Sequence, residues 1–420
     1  MAEKALIAEI ICTGEELLLG DIVNTNAAFL SAELTELGVS VYHHSVVGDD
    51  SQRLGECVSE GLLRSDIVII SGGLGPTKDD LTKETVASLF GRKMELHAPS
   101  LADIKAYFER TGRVMSKNNE KQAMMPEGAI VFPNHFGTAP ALALENERGQ
   151  SVMMLPGPPS ELVPLFSEQI TPYLKSKSEL AIVSKNLHIF GIGESALAEK
   201  LDYLLVDTAK ITAATYCKEG EVRIRITARA ATDSEAHALC DEYAQRIMQT
   251  EVGALVYGID VGTIENALVR ELHEKKLTLS AAESCTGGLI AKRVTDISGC
   301  SDVFLGGCVT YTNDVKQRLL GVSASTLELY GAVSEQTARE MARGVRLATG
   351  SDIGISTTGI AGPTGGTLDT PVGTVFIGIS TADGEDCRRL SLSSMRSREY
   401  IRQASATNAF DMVLKRVRSK

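Results

Sequence analysis

Apolar and polar positions divide the chain into three stretches with two rhythms. From residue 4 to about 172, short apolar runs such as ALIAEIIC, VSVYHHSVVG and DIVIISGG read as strands. Helical patterns such as NAAFLSAELTEL and DLTKETVASLF lie between them, which predicts a mostly parallel sheet covered on both faces. From about 173 to 257 a strand (AIVSKNLHIFG), a helix (ESALAEKLDYLL), two strands (KITAATY, EVRIRITARA) and a long helix predict a compact α+β layer. From 258 the first rhythm returns, with a helix over 263–275, a strand running into Ser284, a strand at CVTYT, a helix capped by Ser334 and strands IGIST and GTVFIGIST. The closing RSREYIRQASATNAFDMVLKRVR is amphipathic and predicts a packed last helix with a solvated basic end. The fold class expected is therefore two doubly wound α/β domains, 1–172 and 258–420, joined by a small α+β domain over 173–257.

Composition narrows the picture. A chain of 420 residues that is 43% apolar can bury several cores, and it has no apolar run long enough to span a bilayer. The sequence enters a strand pattern at once, without the charged and apolar regions of a leader, so a cytoplasmic protein is expected. Eight cysteines without a C-x-x-C pair predict reduced thiols rather than disulfides or zinc. A net charge of −12 lacks the cations that displace counterions from nucleic acid, so no nucleic-acid partner is expected.

Candidate chemistry gathers at LTLSAAESCTGG, Leu277–Gly288, where an apolar strand ends in Ser284, Cys285, Thr286, Gly287 and Gly288 ahead of a helical pattern. A nucleophile at such a turn sits at the carboxyl edge of a sheet, the ligand edge of open α/β folds. The helix start behind it predicts free backbone N–H groups suited to an oxyanion, with further donors near Gly359. Acyl transfer also needs a proton carrier. His273, the only histidine after 258, sits beside Lys275 and Lys276 in an amphipathic helix and reads as a surface residue. Lys292 lies eight residues past Ser284, about 12 Å along a helix, too far to share its proton. Lys316, in VTYTNDVKQRLLGV with Tyr311, is the better candidate for a base made neutral by burial. Cys285 is a rival nucleophile, and chemistry alone does not separate Thr357 from Thr358 in ISTTGIAGPTGGTLDTPVGTVFIGI.

Together these three segments resemble the carboxy-terminal domain of the CinA family, the PncC-type nicotinamide-nucleotide amidohydrolase, over about Thr263 to the end. The resemblance implies cofactor-free hydrolysis of the carboxamide of nicotinamide mononucleotide (NMN) to nicotinate mononucleotide and ammonia. It implies Ser284 as nucleophile, Lys316 as base, and Tyr311 and Thr358 as supporting hydroxyls. Cys285, Thr286, Gly287, Gly288, Gly359 and Gly362 are then the expected substrate contacts.

In the first domain, TGEELLLGDIVNTN and SGGLGPTKDD place glycines and carboxylates just past strand ends, and neither is a P-loop. With NNEKQAMMPEGA, GTAP and LPGPPSEL, they resemble the molybdopterin-binding, MoeA/MogA-like domain at the amino terminus of CinA proteins. That implies ADP-ribose pyrophosphatase activity with a divalent metal (Mg, Mn or Co) and K+. Asp80, Asp79, Asp49 and Glu15 are the metal candidates, Gly72, Gly73, Gly75 and Thr77 the phosphate candidates, and Asn24 and Asn26 further contacts. Ala141 stands where the family carries glycine and is expected to crowd the ligand; Pro158 and Ser160 also depart from the pattern. The middle segment resembles the family's KH-like domain without the RNA-clamping G-x-x-G loop, which predicts a spacer or dimer element. Its Gly191, Gly193 and Ala196 imitate a dinucleotide fingerprint, but the acid that should end a second parallel strand is missing. A homodimer acting on small nucleotides is implied. The alternatives are an amino-terminal pyrophosphatase alone, or a nucleotide-binding regulatory scaffold.

Overall fold

A computed structural model describes residues 6–177, 180–218 and 220–419. The chain folds into two compact units. The first takes the segments up to Ser184 with Asp207–Thr212 and Thr227–Glu242; the second takes Lys185–Val206, Ala213–Ile226 and Tyr243 onward.

The first unit contains β1 (Ile7–Thr13), β2 (Ser40–Val47), β3 (Ile67–Ser71), β4 (Met94–Leu96), β5 (Met124–Pro126), β6 (Ile130–Phe132), β7 (Ala141–Glu145) and β8 (Ser151–Leu155). Six of them form a sheet ordered β2-β1-β3-β8-β7-β6. The period-two alternation of a strand sorts its apolar residues between two helical layers. Ala8, Ile10, Cys12, Ile67 and Ile69 pack with Leu30, Leu34, Leu162 and Phe166 on one face. Ile11, Val68 and Ile70 pack with Leu54, Val58 and Val86 on the other. Each such side chain contributes about 1.5–3 kcal/mol on burial, so both faces resist a register slip.

The middle strands β9 (Ala181–Phe190), β10 (Ile211–Lys218), β11 (Glu221–Ala230) and β12 (Val256–Ile259) form one sheet ordered β10-β11-β9-β12. In the second unit, β13 (Leu279–Glu283), β14 (Phe304–Val309), β15 (Ile353–Gly359), β16 (Thr374–Thr381) and β17 (Gly384–Ser391) form a sheet ordered β14-β13-β15-β16-β17. Leu279, Ala281, Ile353, Ile355 and Ile377 pack against the helices Ile264–Lys275 and Arg398–Arg418. Ala282 faces the opposite layer with Met341 and Val345 of the helix Glu335–Thr349. Ser334 caps that helix as expected, its hydroxyl accepting the Thr337 N–H at 3.2 Å.

Both α/β sheets are mostly parallel in strand direction, with one reversed strand in each. β2, β1, β3 and β8 run parallel, β7 turns back, and β6 pairs antiparallel with β7 and so runs with the first four. β14, β13 and β15 are parallel, β16 turns back, and β17 pairs antiparallel with β16 and so runs with the first three. β17 escapes an apolar pattern because GEDCRRLS is a solvated edge strand whose positions run from exposed to half-buried.

Candidate active sites

In the second unit, β13 ends at Glu283, and the chain turns through Ser284 to Gly288 before the helix Leu289–Thr295. Gly287 and Gly288 take φ of 61° and 93°, so this tight turn uses the freedom that only glycine has at no cost. The ladder continues one step past β13, since the Ser284 N–H donates to the Thr357 carbonyl at 2.9 Å. On the other side, the Thr310 N–H donates to the Glu283 carbonyl at 2.8 Å. Lys316 lies on the helix Asn313–Leu320, and its side chain is buried to 1% exposure. Its Nζ donates to Ser284 Oγ at 3.1 Å and to the Thr310 carbonyl at 2.8 Å.

Burial lowers the Lys316 pKa, which favours the neutral amine a base requires. No opposing carboxylate bonds to it among the described residues. The rival thiol is silenced by the same physics. Burial pushes Cys285 up to about 12, so the thiol stays protonated at neutral pH, and the nearby Glu283 carboxylate adds to the rise. Of the two candidates, only Ser284 touches the base.

The oxyanion expectation needs correction. The helix start behind the turn is not free, because Glu283, 1% exposed, fills it. Its Oε2 accepts the Gly288 and Ile290 N–H groups at 2.9 and 3.0 Å, and Oε1 accepts that of Ala291 at 2.9 Å. The Ser284 N–H is committed to Thr357, and that of Gly287 to the Ser284 carbonyl. Among the described residues, the Cys285 and Thr286 amides alone on this turn lack an oxygen acceptor.

The remaining expected residues divide. Thr358 sits beside Ser284 by register, one step beyond the Glu283–Thr357 pair, and donates its hydroxyl to the Ala332 carbonyl at 2.6 Å. Thr357 points to the other face and bonds the Thr286 hydroxyl at 2.7 Å, so these two side chains brace the turn internally. Tyr311 is 60% exposed and bonds Arg398 rather than the Ser–Lys pair. Gly359 is required by packing: an added Cβ would lie 2.7 Å from the Thr374 carbonyl on β16. Gly362 is buried, and its carbonyl accepts from Arg398 Nη1 at 2.8 Å.

Two arginines were missed. Arg398 ties Tyr311 to Gly362, and Arg402 clamps the Thr286 carbonyl with Nε and Nη2 at 3.1 and 2.6 Å. Both lie in the first turns of the last helix, Arg398 36 and 87 residues from its two partners and Arg402 116 from the turn it holds. The signal available was a pair of arginines four apart on one helical face.

In the first unit, the carboxyl ends of β1 and β3 open onto a cavity of about 530 Å³. Asn24, Asn26, Asp49, Gly72, Gly73, Gly75 and Asp80 line it, as do Glu16 and Glu161, which sequence reasoning passed over. The four-carboxylate metal cluster is not assembled. Among the described residues, no group of three or more His, Cys, Asp or Glu is placed to hold a metal ion. Asp79 is exposed and off the cavity wall, and the Glu15 carboxylate lies against Gly48. Thr77 is also off the wall, its N–H and hydroxyl both donated to Asp80 Oδ2 at 2.8 and 2.5 Å. Partial burial raises the Asp49 pKa, helped by the carboxylates of Glu16, Glu15 and Asp80. Asp49 and Asp80 on one wall would suit a cation shared with phosphate oxygens and water, as Mg²⁺ prefers. Ala141 does not crowd this cavity: it is fully buried in β7, away from the wall. The loop is braced from beneath by Lys121, whose Nζ donates to the Thr77 and Asp80 carbonyls. Buried Lys83, lowered to about 8 by burial, bonds the Lys121 and Gln122 carbonyls in turn.

The fold and sites define a class: a modular α/β protein with a buried Ser–Lys pair in one unit and a carboxylate- and glycine-lined cavity in the other. Family models divide the chain in three and put the two sites in separate domains. Residues 9–176 match the probable molybdopterin binding domain, 184–258 the damage-inducible protein CinA KH domain, and 261–417 the CinA C-terminal domain. The chain is 48% identical to a protein of Acetivibrio thermocellus named for competence-damage induction, over 97% of both chains. It is 44% identical to a CinA-like protein of Kosmotoga olearia, over 97% of this chain and 98% of that one. The chain belongs to the CinA family. Among solved structures, competence/damage inducible protein CihA of Agrobacterium tumefaciens is 38% identical over 36% of this chain and 92% of its own, with a TM-score of 0.36. MoaB of Pyrococcus furiosus, a tungsten cofactor synthesizing protein, is 16% identical over 42% of this chain and 98% of its own, with a TM-score of 0.29.

Proposed function

We propose that the second unit is a nicotinamide-nucleotide amidohydrolase that converts NMN to nicotinate mononucleotide and ammonia without a cofactor. The observation that carries this reading is the buried 3.1 Å contact between Lys316 Nζ and Ser284 Oγ, in a turn that excludes a thiolate rival. Neutral Lys316 takes the hydroxyl proton as Ser284 Oγ bonds to the carboxamide carbon. The oxyanion would draw on the Cys285 and Thr286 amides, which give no hydrogen bond to a backbone oxygen and lie against the Cys285 sulfur. The C–N bond then breaks, the proton leaves with ammonia, and water releases the acid from the acyl-serine with Lys316 again as base. The choice of NMN rests on the family resemblance. The charge of −12 supports a small nucleotide over nucleic acid, while the cytoplasmic location and homodimer rest on expectation from the sequence and family.

The test is ammonia release from NMN by the intact protein in EDTA. Wild type and Cys285→Ala should release it, and Ser284→Ala and Lys316→Ala should lose at least about a hundredfold. Lys316→Ala turning over within about tenfold of wild type would sink the Ser–Lys mechanism. A wild type that binds NMN and releases nothing would favour the scaffold reading.

The cavity of the first unit supports a second reading, a metal-dependent pyrophosphatase acting on ADP-ribose. The glycine turn Gly72–Gly75 and the cation-attracting pair Asp49 and Asp80 favour it. A divalent ion there would neutralise the diphosphate and activate water.

A further inference from the structure

A buried hydroxyl with no partner is costly, and the second unit places one beside its base. Thr310 is fully buried, and its Oγ1 finds no hydrogen-bond partner among the described residues. Leaving such a group unpaired costs about 1–3 kcal/mol, so it calls for a reason. Its backbone is already engaged at the site: the N–H donates to the Glu283 carbonyl, and the carbonyl accepts from Lys316 Nζ at 2.8 Å.

Register shows where the hydroxyl belongs. Glu283 pairs with Val309 on one side and with Thr357 on the other, so the next positions, Thr310, Ser284 and Thr358, form a row across three neighbouring strand ends. Ala282 and Cys308, two residues earlier, pack together on one face, so the row shares that face. Three hydroxyls therefore lie side by side with the nucleophile in the middle. Thr358 spends its proton on the Ala332 carbonyl; Thr310 spends nothing.

We propose that Thr310 is a positioning residue, whose free hydroxyl accepts the third N–H of Lys316 when the amine takes the proton of Ser284. This deepens, and rests on, the Ser–Lys reading of the site. A neutral amine directs its lone pair at the Ser284 hydroxyl and has two N–H groups, whereas the ammonium has three. The Thr310 carbonyl accepts one, and once Ser284 Oγ is bonded to carbon its capacity as an acceptor falls. Rotation of the Thr310 side chain then offers an oxygen to the new charge in a buried site. The orphan hydroxyl of the resting enzyme is thus an acceptor held for the charged intermediate, and no atom is gained or lost in the step.

The two explanations of Thr310, packing and catalysis, predict opposite signs. Thr310→Val keeps the shape and removes the orphan, so stability should hold or rise, while Thr310→Ser keeps the hydroxyl. The intact protein is titrated with a fluorophosphonate, which phosphonylates an activated serine by loss of fluoride and needs no knowledge of the natural substrate. Labelling of Ser284 in Thr310→Val should slow by about tenfold or more, the loss expected of a hydrogen bond to a charged group, at an unchanged or higher Tm. Thr310→Ser should label at nearly the wild-type rate. The acid limb of the rate in Thr310→Val should move to lower pH, because an ammonium deprived of an acceptor is a stronger acid. Labelling of Thr310→Val within about twofold of wild type, or slowing matched by a fall in Tm, overturns the proposal. A wild type labelled no faster than Ser284→Ala overturns the Ser–Lys reading and this inference with it. A wild type that is labelled yet leaves NMN intact removes only the substrate, and the variants still decide Thr310.

Discussion

Lys316 joins two demands that ordinarily conflict, since a lysine that accepts a proton must spend time neutral. Burial meets the demand here by lowering its pKa from the ordinary value of 10.5. A base works only when deprotonated, so on the proposed mechanism kcat/KM should climb with pH and level off once Lys316 is neutral. Because the folded pKa is depressed, that plateau should arrive at lower pH than a solvated lysine would give. A pH profile of NMN turnover measures it; in Lys316→Arg the rising limb should vanish with the activity, since guanidinium stays protonated. An unchanged limb in that variant would assign the titration to another group. Cys285 provides the matching control at the same scale. A thiol held at about 12 has no thiolate to offer, so Cys285→Ala should keep its rate to within about twofold.

At the scale of elements, the turn after β13 is held by a carboxylate rather than by its own helix. Glu283 takes three amide N–H groups from the start of the helix Leu289–Thr295, and such charge-assisted bonds are about twice as strong as neutral ones. Glu283→Gln keeps the size but turns an NH₂ toward one of those donors. We expect a loss of about 1–3 kcal/mol in stability and a fall in kcat larger than any change in KM, because the turn carrying Ser284 loosens. Denaturant titration beside steady-state kinetics checks both, and a stable variant with full kcat would show the anchor to be dispensable. This anchor also marks how far the sequence could be read. Ser284 was legible because an apolar strand ends in Ser-Cys-Thr-Gly-Gly, a local pattern. The expectation of free amides at the helix start failed because an acid at a strand end carries no sign of where its carboxylate turns. Arg398 and Arg402 were hidden for a different reason: their partners, Gly362, Tyr311 and Thr286, are remote in sequence, and an amphipathic pattern records burial rather than contacts. The reversed strands β7 and β16 were hidden likewise, since alternation shows that strands exist and not which way each one runs.

At the scale of the whole molecule, each site draws its residues from one compact unit. Ser284, Lys316, Thr310, Glu283 and Arg402 all belong to the second, and Asn24, Asn26, Asp49, Gly72 to Gly75 and Asp80 all belong to the first. Two sites built this way need share neither residue nor ion, and their chemistries differ in the one reagent that is simplest to remove. The proposed amidohydrolase needs only a lysine and a serine, whereas the proposed pyrophosphatase needs a cation beside Asp49, whose pKa burial raises with neighbouring carboxylates adding to the rise. The activities should therefore separate in both directions. Chelation or Asp80→Asn should abolish ADP-ribose cleavage and leave ammonia release from NMN within about twofold, while Ser284→Ala should do the reverse. Asp80→Asn keeps an acceptor for the Thr77 N–H and hydroxyl, so the loop between Gly75 and Asp80 should survive the substitution. A fall of both activities in either single variant, with the protein still folded, would mean that the two sites depend on each other, and the assignment of one chemistry to each unit would have to be given up.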